Sequence, residues 1–321
     1  MKEKEILLFG GSGFIGSNLI RKLTKNNYKV KVVTRNIHKN GIKIKTQGNF
    51  GYIELIETNI FDLDKLNEII EGVDICINLI GILYENKKNK FSNIHTNFPY
   101  IISKICKEKK VKQLIHFSAL GIEESSKTSK YALSKLEGEK LVKENFKDAI
   151  IIRPSIVYGV EDNFTNLFMS ILSIFPFFPL YYHGKTKFSP IHVSDLTDII
   201  YNIVDQDIRF ETIECVGNET MNFKEIIEKL CFCISKKRLL FPMPLSLAKL
   251  VAYTFEKFMS KPLLTKDQLE LLKYDNVISG KYKTNFDFNF TTTKKFKFEV
   301  EKYSYIFKEH GEYSKKEYNS K

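Results

Sequence analysis

The chain is poor in the residues that disulfide and metal chemistry require. Its 321 residues include five cysteines, Cys76, Cys106, Cys215, Cys231 and Cys233. They form no CxxC pair and leave an odd count, and Cys231-x-Cys233 has no histidine set beside it. This argues against a zinc site and fits free thiols in a reducing compartment. No metal is expected, and His95, His116 and His192 share no ligand spacing, so each reads as a packed or capping histidine. Arginine is scarce as well. Of 50 basic residues only Arg21, Arg35, Arg153, Arg209 and Arg238 are arginine. Surfaces that read bases lean on the planar guanidinium fork. The net charge of +12 is spread along the chain as lysine, so it reads as a solvated surface rather than a nucleic-acid interface. At most it gives a weak attraction to a membrane face or an acidic partner.

Long apolar runs are missing too. A spanning helix needs about 18–20 residues. The nearest candidate, Phe164–Tyr182, is broken by Pro176 and Pro179 and diluted by Asn166, Ser170 and Ser173. It reads as a helix followed by an apolar loop. Met1-Lys2-Glu3-Lys4-Glu5 leads straight into a strand pattern, and its acidic residues are unlike a transit peptide. A cytoplasmic location without signal peptide or transmembrane helix is therefore expected. With 43% apolar residues, the chain has ample material for a globular core.

The first part of the chain alternates strand and helix patterns. Strands are expected at Glu5–Phe9, Lys29–Thr34, Gly51–Glu54, Ile75–Leu79, Gln113–Ser118 and Ala149–Arg153. Helices are expected at Phe14–Asn26, Leu63–Ile70, about Tyr100–Lys109 and Tyr131–Asn145, with a loop after Thr34. Continuously apolar strands separated by helices indicate an α/β fold, a Rossmann-type doubly wound parallel sheet covered on both faces. The rhythm changes near Pro154, and helical patterns return at Val193–Val204, Asn222–Ser235 and Ser246–Phe258. The expected division is a dinucleotide-binding domain over 1–155 and a smaller, mostly helical C-terminal region over 156–281. One or two strands of that region return to the sheet. A weakly periodic basic and aromatic tail over 282–321 reads as a loosely held extension.

Three constellations carry chemistry. Gly10-Gly11-Ser12-Gly13-Phe14-Ile15-Gly16 lies between an apolar strand and a helix, the setting that a dinucleotide fingerprint requires. Gly10 permits the tight turn, Gly13 lets a pyrophosphate approach the backbone, and Gly16 lets the helix pack on the strand. The helix N-terminus supplies N–H groups and a positive dipole end. The second lies about 20 residues on, where NAD-selective sites place a carboxylate for the ribose. Here Thr34 and Arg35 stand instead, and arginine pairs with a 2′-phosphate, which favours NADP(H) over NAD(H). The third is Tyr131-Ala132-Leu133-Ser134-Lys135. A Tyr and a Lys at i and i+4 share one helix face, and a nearby ammonium makes the phenol a usable acid or base. Asp195 reads as a helix cap.

The glycine loop, Tyr131/Lys135 and Arg153-Pro154-Ser155-Ile156-Val157-Tyr158-Gly159 resemble the extended or atypical short-chain dehydrogenase (NAD-dependent epimerase/dehydratase-like) superfamily. Further stretches narrow the resemblance: Asn78–Glu85, Ile94-His95, His116–Gly121, Ser134–Glu139, Val160–Phe164, Thr186–Val193 and Leu264–Leu272. Over roughly residues 5–280 the chain is similar to the dehydrogenase-like accessory subunits of respiratory complex I (NADH:ubiquinone oxidoreductase), and it looks like a bacterial member. The resemblance implies a tightly held, structural NADPH. Asn59 and Ile60 would lie on its adenine side, and the glycine loop with Leu79, Ile80 and Gly81 along ribose and pyrophosphate. Tyr131, Lys135, Pro154 and Ile156 would lie by the nicotinamide, with Ser118 nearby. It also implies complex I subunits as partners and peripheral attachment to the inner face of the inner membrane. Active relatives carry a hydroxyl after strand five. In His116-Phe117-Ser118-Ala119-Leu120-Gly121 that place falls at Ala119 or Leu120, with Ser118 slightly early, so a donor to a developing oxyanion is missing. Two other readings remain: a free-standing NADP-dependent reductase, epimerase or dehydratase using Tyr131 and Lys135, and a nucleotide-sensing regulator.

Overall fold

A computed structural model describes residues 4–308 of the chain; the end of the expected tail lies outside the described residues. The chain forms two compact units.

The first unit is built on one sheet. Its strands are β1 (Glu5–Phe9), β2 (Lys29–Thr34), β3 (Ile53–Glu57), β4 (Ile75–Asn78), β5 (Gln113–Phe117) and β6 (Ile150–Pro154). Strands Thr212–Cys215 and Lys283–Thr284 complete it. The order is Lys283–Thr284, Thr212–Cys215, β6, β5, β4, β1, β2, β3. Every neighbouring pair in the sheet is parallel. The strands read as unbroken apolar runs because both faces are covered; in β1, Ile6, Leu7, Leu8 and Phe9 are all fully buried. The chain winds outward from β1 to β3 and then returns to lay β4 against the other side of β1. Open α/β sheets bind their ligands beyond the strand ends at such a reversal.

The covering helices include α1 (Phe14–Lys25), α2 (Ile37–Lys45), α3 (Leu63–Ile70), α4 (Phe98–Glu108), α5 (Ile122–Ser125) and α6 (Lys130–Asn145). Three of them, α2, α3 and α6, start on a side-chain cap. Asp62 accepts the Lys65 N–H ahead of α3, and Ser129 accepts the Ala132 N–H ahead of α6. Among the described residues no helix is long and apolar enough to cross a membrane.

Several expectations are corrected. The expected loop after β2 contains α2, capped by Asn36 on the Lys39 N–H at 2.7 Å; only Gly41 and Ile44 of it are buried, so its apolar periodicity is faint. Strand β3 begins at Ile53 rather than Gly51, because Gly51 turns with φ +83°. A π-helix over Ser92–Asn97 precedes α4. After Pro176, Phe177–Leu180 is a strand paired in parallel with Leu239–Pro242, not a loop.

The units are interleaved in sequence: the chain leaves the first after Pro154 and returns to it twice, with no single division near residue 281. The first unit takes the chain through Pro154 and then Val193–Cys215 and Ile278–Thr291; the second takes Ser155–His192, Val216–Val277 and the chain from Thr292 onward. The helix Val193–Asp205 belongs to the first unit, where Lys22 of α1 pairs with its Asp198 at 2.6 Å. Asp195 lies buried in its first turn. The described part of the expected tail is not loose. Lys283–Thr284 pairs with Thr212–Cys215 in the first unit. Phe296 and Val300 are buried in the core of the second, among Met169, Leu172, Phe223 and Leu230. A few well-spaced aromatic anchors hold it without any helical or strand period to announce them.

Gly138 of α6 faces the backbone of the π-helix, where an added Cβ would lie 1.9 Å from the His95 carbonyl oxygen. Neither backbone moves cheaply, so Gly138→Ala is expected to cost about 3 kcal/mol of stability by overpacking, read as a lower urea midpoint. An unchanged midpoint would mean that α6 and the π-helix separate freely.

Candidate functional site

The site begins where β1 ends. Gly10 has φ +85°, and a Cβ on it would lie 3.1 Å from the Leu79 carbonyl carbon and 3.3 Å from the Ile80 nitrogen. The Gly13 N–H closes the turn on the Gly10 carbonyl at 3.0 Å. Gly16 packs so tightly that its Cβ would lie 2.4 Å from the same oxygen. A Cβ on Gly13 would meet only that carbonyl, at 3.3 Å, so the backbone there is open to a ligand. α1 starts directly after Gly13, with no side-chain cap and no acidic residue in its first turn. Ser12, Phe14 and Ile15 flank this opening, each partly exposed. Open backbone at a positive helix end is what a pyrophosphate needs.

Because the strands are all parallel, the residues after each strand emerge along one edge of the sheet. Arg35 follows β2; it is exposed and has no hydrogen bond or ion pair among the described residues. Asn59 and Ile60 follow β3. The Asn59 Oδ1 accepts the Phe61 N–H at 3.1 Å while its side chain stays exposed. Ile60 is buried in the core, so it offers a ligand its backbone only. Leu79, Ile80 and Gly81 follow β4, pinned by Leu79 N–H to the Phe9 carbonyl and Ile80 N–H to the Asn78 Oδ1, both at 3.0 Å. Ser118 follows β5, buried and with no partner for its hydroxyl among the described residues. Pro154 ends β6, and its carbonyl accepts the Leu120 N–H at 3.0 Å. Of the expected contacts, Ile156 alone lies in the second unit, half-buried against that unit's core.

Tyr131 and Lys135 stand one turn apart on α6. The Lys135 Nζ donates to the Phe117 carbonyl at 2.9 Å, and a Cβ on Gly81 would lie 3.3 Å from it. Burial pushes this ammonium down to about 8, with the Glu139 carboxylate pulling the other way. The Tyr131 ring meets His95 and Phe91 edge-on, at centroid distances of 5.2 and 5.8 Å.

His95 ties the two halves of this site together, a role its sequence neighbourhood did not reveal. Its Nε2 accepts the Ile82 N–H at 3.0 Å, which assigns the ring proton to Nδ1. Nδ1–H donates to the Ser134 Oγ at 3.0 Å, and that hydroxyl donates to the Tyr131 carbonyl at 2.8 Å. The loop after β4 is thereby bonded to the start of α6. The π-helix that presents His95 is an element often found at functional sites. Beneath it, the Asn78 Nδ2 donates to the His116 Nδ1 at 3.2 Å, leaving the His116 Nε2 buried and without a partner among the described residues. Glu57 is a second residue that sequence reasoning missed. No carboxylate follows β2 directly, but Glu57, at the end of β3, stands in register with Thr34. Strand register is invisible in the sequence.

Arg153 supports the same region from below. It is buried, forks onto Glu139 at 2.9 and 2.6 Å, and reaches Glu123 at 3.1 Å. The Tyr282 ring lies 4.4 Å from its guanidinium, and the Tyr282 hydroxyl donates to Glu123.

The glycine turn and the parallel strand order with its reversal at β1 and β4 define a Rossmann-type dinucleotide-binding unit. Residues 6–213 match the NAD dependent epimerase/dehydratase family. The chain belongs to that family. It is 28% identical over 289 residues to subunit 9 of the mitochondrial NADH dehydrogenase (ubiquinone) 1 alpha subcomplex of Dictyostelium discoideum, covering 89% of this chain and 80% of that one. Its similarity to the Mus musculus protein of the same name is 29% over 273 residues, covering 84% and 72%. Among solved structures, dTDP-glucose 4,6-dehydratase from Bacillus anthracis, in complex with NAD, shares the fold. Its TM-score is 0.70 at 16% identity, over 94% of this chain and 95% of that one.

The two buried histidines make the fold acid-sensitive. Burial, aided by the Lys135 charge, lowers His95 to about 2 and His116 to about 3. Both stay neutral in the native state, while in the unfolded chain they protonate near pH 6.5. Below that pH the unfolded state binds more protons, so stability falls as pH drops from about 6.5 toward 3, by about 1.4 kcal/mol per pH unit for each histidine. His116→Gln is expected to lose part of this slope. Urea unfolding of both proteins at pH 7 and pH 5 checks it; equal pH dependence would show that His116 is not held neutral.

Proposed function

We propose that this protein is an NADP(H)-binding, dehydrogenase-like accessory or assembly subunit of respiratory complex I, lying peripheral to the cytoplasmic face of the inner membrane through its partner subunits. The observation that carries this reading is the likeness, along more than four-fifths of the chain, to proteins named as subunits of that enzyme. The nucleotide acts chiefly as a structural ligand. It spans the open backbone at Gly13, the loop Leu79–Gly81 and the start of α6, and by binding only the folded state it stabilises the chain. At a hundredfold excess over Kd the gain is about 2.7 kcal/mol. Arg35, exposed and without an ion pair among the described residues, supports NADP(H), with NAD(H) as the alternative.

A second reading, a free-standing reductase, epimerase or dehydratase, has one observation in its favour. Lys135, with its lowered pKa, shares a helix face with Tyr131, the arrangement that would let the phenol act as acid or base and the ammonium tune it. A mild-detergent pull-down of the tagged protein from its native membranes separates the two. Stoichiometric complex I subunits are expected; recovery of the protein alone would favour the enzyme. Tyr131→Phe is then informative, since it spares assembly in the first case and abolishes turnover in the second. Arg35→Gln is expected to weaken NADPH binding about tenfold by loss of one charge-assisted contact while leaving NADH nearly unchanged. Equal effects on the two would remove the case for NADP(H).

A further inference from the structure

The edge where β2 and β3 end carries two opposite charges that do not meet. Thr34 and Glu57 close these strands side by side. The Glu57 Oε2 accepts the Ile37 N–H at 2.7 Å, and Asn36 accepts the Lys39 N–H at 2.7 Å. The first turn of α2 is thus closed by two local acceptors, one of them anionic. Beside them in the chain stands Arg35, exposed and with no ion pair among the described residues. The Glu57 carboxylate is therefore not neutralised by the arginine near it.

In a Rossmann unit the glycine turn holds the pyrophosphate, and the adenosine ribose lies over the end of the second strand. Here that place is the Thr34–Ile37 segment. A 2′-phosphate would bring a charge of roughly −1.5 to −2 to a spot where Arg35 attracts it and Glu57 repels it. A 2′-hydroxyl brings no charge, and a carboxylate can accept a hydrogen bond from it. The capping role alone does not require the charge, because any side-chain carbonyl would accept the Ile37 N–H.

We propose that Glu57 is a specificity-determining residue of the nucleotide site, penalising a 2′-phosphate and admitting a 2′-hydroxyl. The choice between NADP(H) and NAD(H) is then set by the balance of Arg35 and Glu57 and not by Arg35 alone. This rests on the reading of the strand ends as a dinucleotide site. Two of the amide donors at the start of α2, those of Ile37 and Lys39, are in addition occupied by the protein's own acceptors.

The test is Glu57→Gln, which keeps an acceptor for the Ile37 N–H and removes the charge. Titrating the full-length wild type and variant with NADPH and with NADH, and following reduced-nicotinamide fluorescence, gives both affinities. The variant is expected to bind NADPH about tenfold more tightly, NADH within about twofold of wild type, and the NADPH gain should shrink in high salt as an exposed charge effect must. Equal changes for both nucleotides, or no change for either, would overturn the assignment of Glu57 while leaving the nucleotide site standing. A wild-type protein that binds neither nucleotide would overturn the site itself, and Glu57's role with it.

Discussion

Every strand of the main sheet runs in the same direction, and the placement of chemistry follows from that constraint. A parallel sheet puts all the strand C-termini on one edge, so the residues that leave β1, β2, β3, β4, β5 and β6 emerge together although the sequence scatters them from Gly10 to Pro154. The reversal of winding between β1 and β4 keeps helices from closing over that edge at its centre. The tight stacking of Gly16 on the Gly10 carbonyl then brings the N-terminal end of α1 to the same place. A bulkier residue at either glycine would push the helix away from the turn and carry the free N–H groups out of reach of a phosphate.

The interior beneath that edge holds several buried polar groups. Arg153 and Glu139 are both buried and joined by two hydrogen bonds. His95, Ser134 and the Tyr131 carbonyl form a chain that uses both ring nitrogens of His95. A buried ion pair adds little net stability, but losing one partner strands the other as an uncompensated buried charge. The network here connects the loop after β4, the π-helix and α6, the three elements that would have to keep their spacing around a dinucleotide. The Ser118 hydroxyl and His116 Nε2 are buried near it without a partner among the described residues.

Much of this is legible in the amino-acid sequence. The glycine spacing, placed between an apolar run and a helix pattern, locates the turn, and the unbroken apolar strands require a sheet covered on both faces. Tyr131 and Lys135 fall one turn apart because helical geometry is local. What the sequence hides is non-local. Helix α2 buries only Gly41 and Ile44, too little to print a period on the sequence. Glu57 reaches the end of β2 through strand register, and His95 reaches Ser134 through the packing that Gly138 permits. The affiliation of Val193–Cys215 and Ile278–Thr291 with the first unit depends on which sheet edge remains open, a property of the assembled strands rather than of either segment.

That interleaving has a consequence for how the chain is made. It passes from one unit to the other five times, after Pro154, His192, Cys215, Val277 and Thr291. A ribosome delivers β1 to β6 early, but the strand that covers the outer edge of β6 arrives only with Thr212–Cys215, and the one beyond it only with Lys283–Thr284. Until then β6 presents a bare row of backbone donors and acceptors, the kind of edge that recruits other chains. Nascent protein therefore spends much of its synthesis with an adhesive margin. A truncation ending near residue 155 would keep that margin permanently, so the shortest piece that fills its own sheet runs through Thr284 and not merely to the end of the nucleotide-binding half.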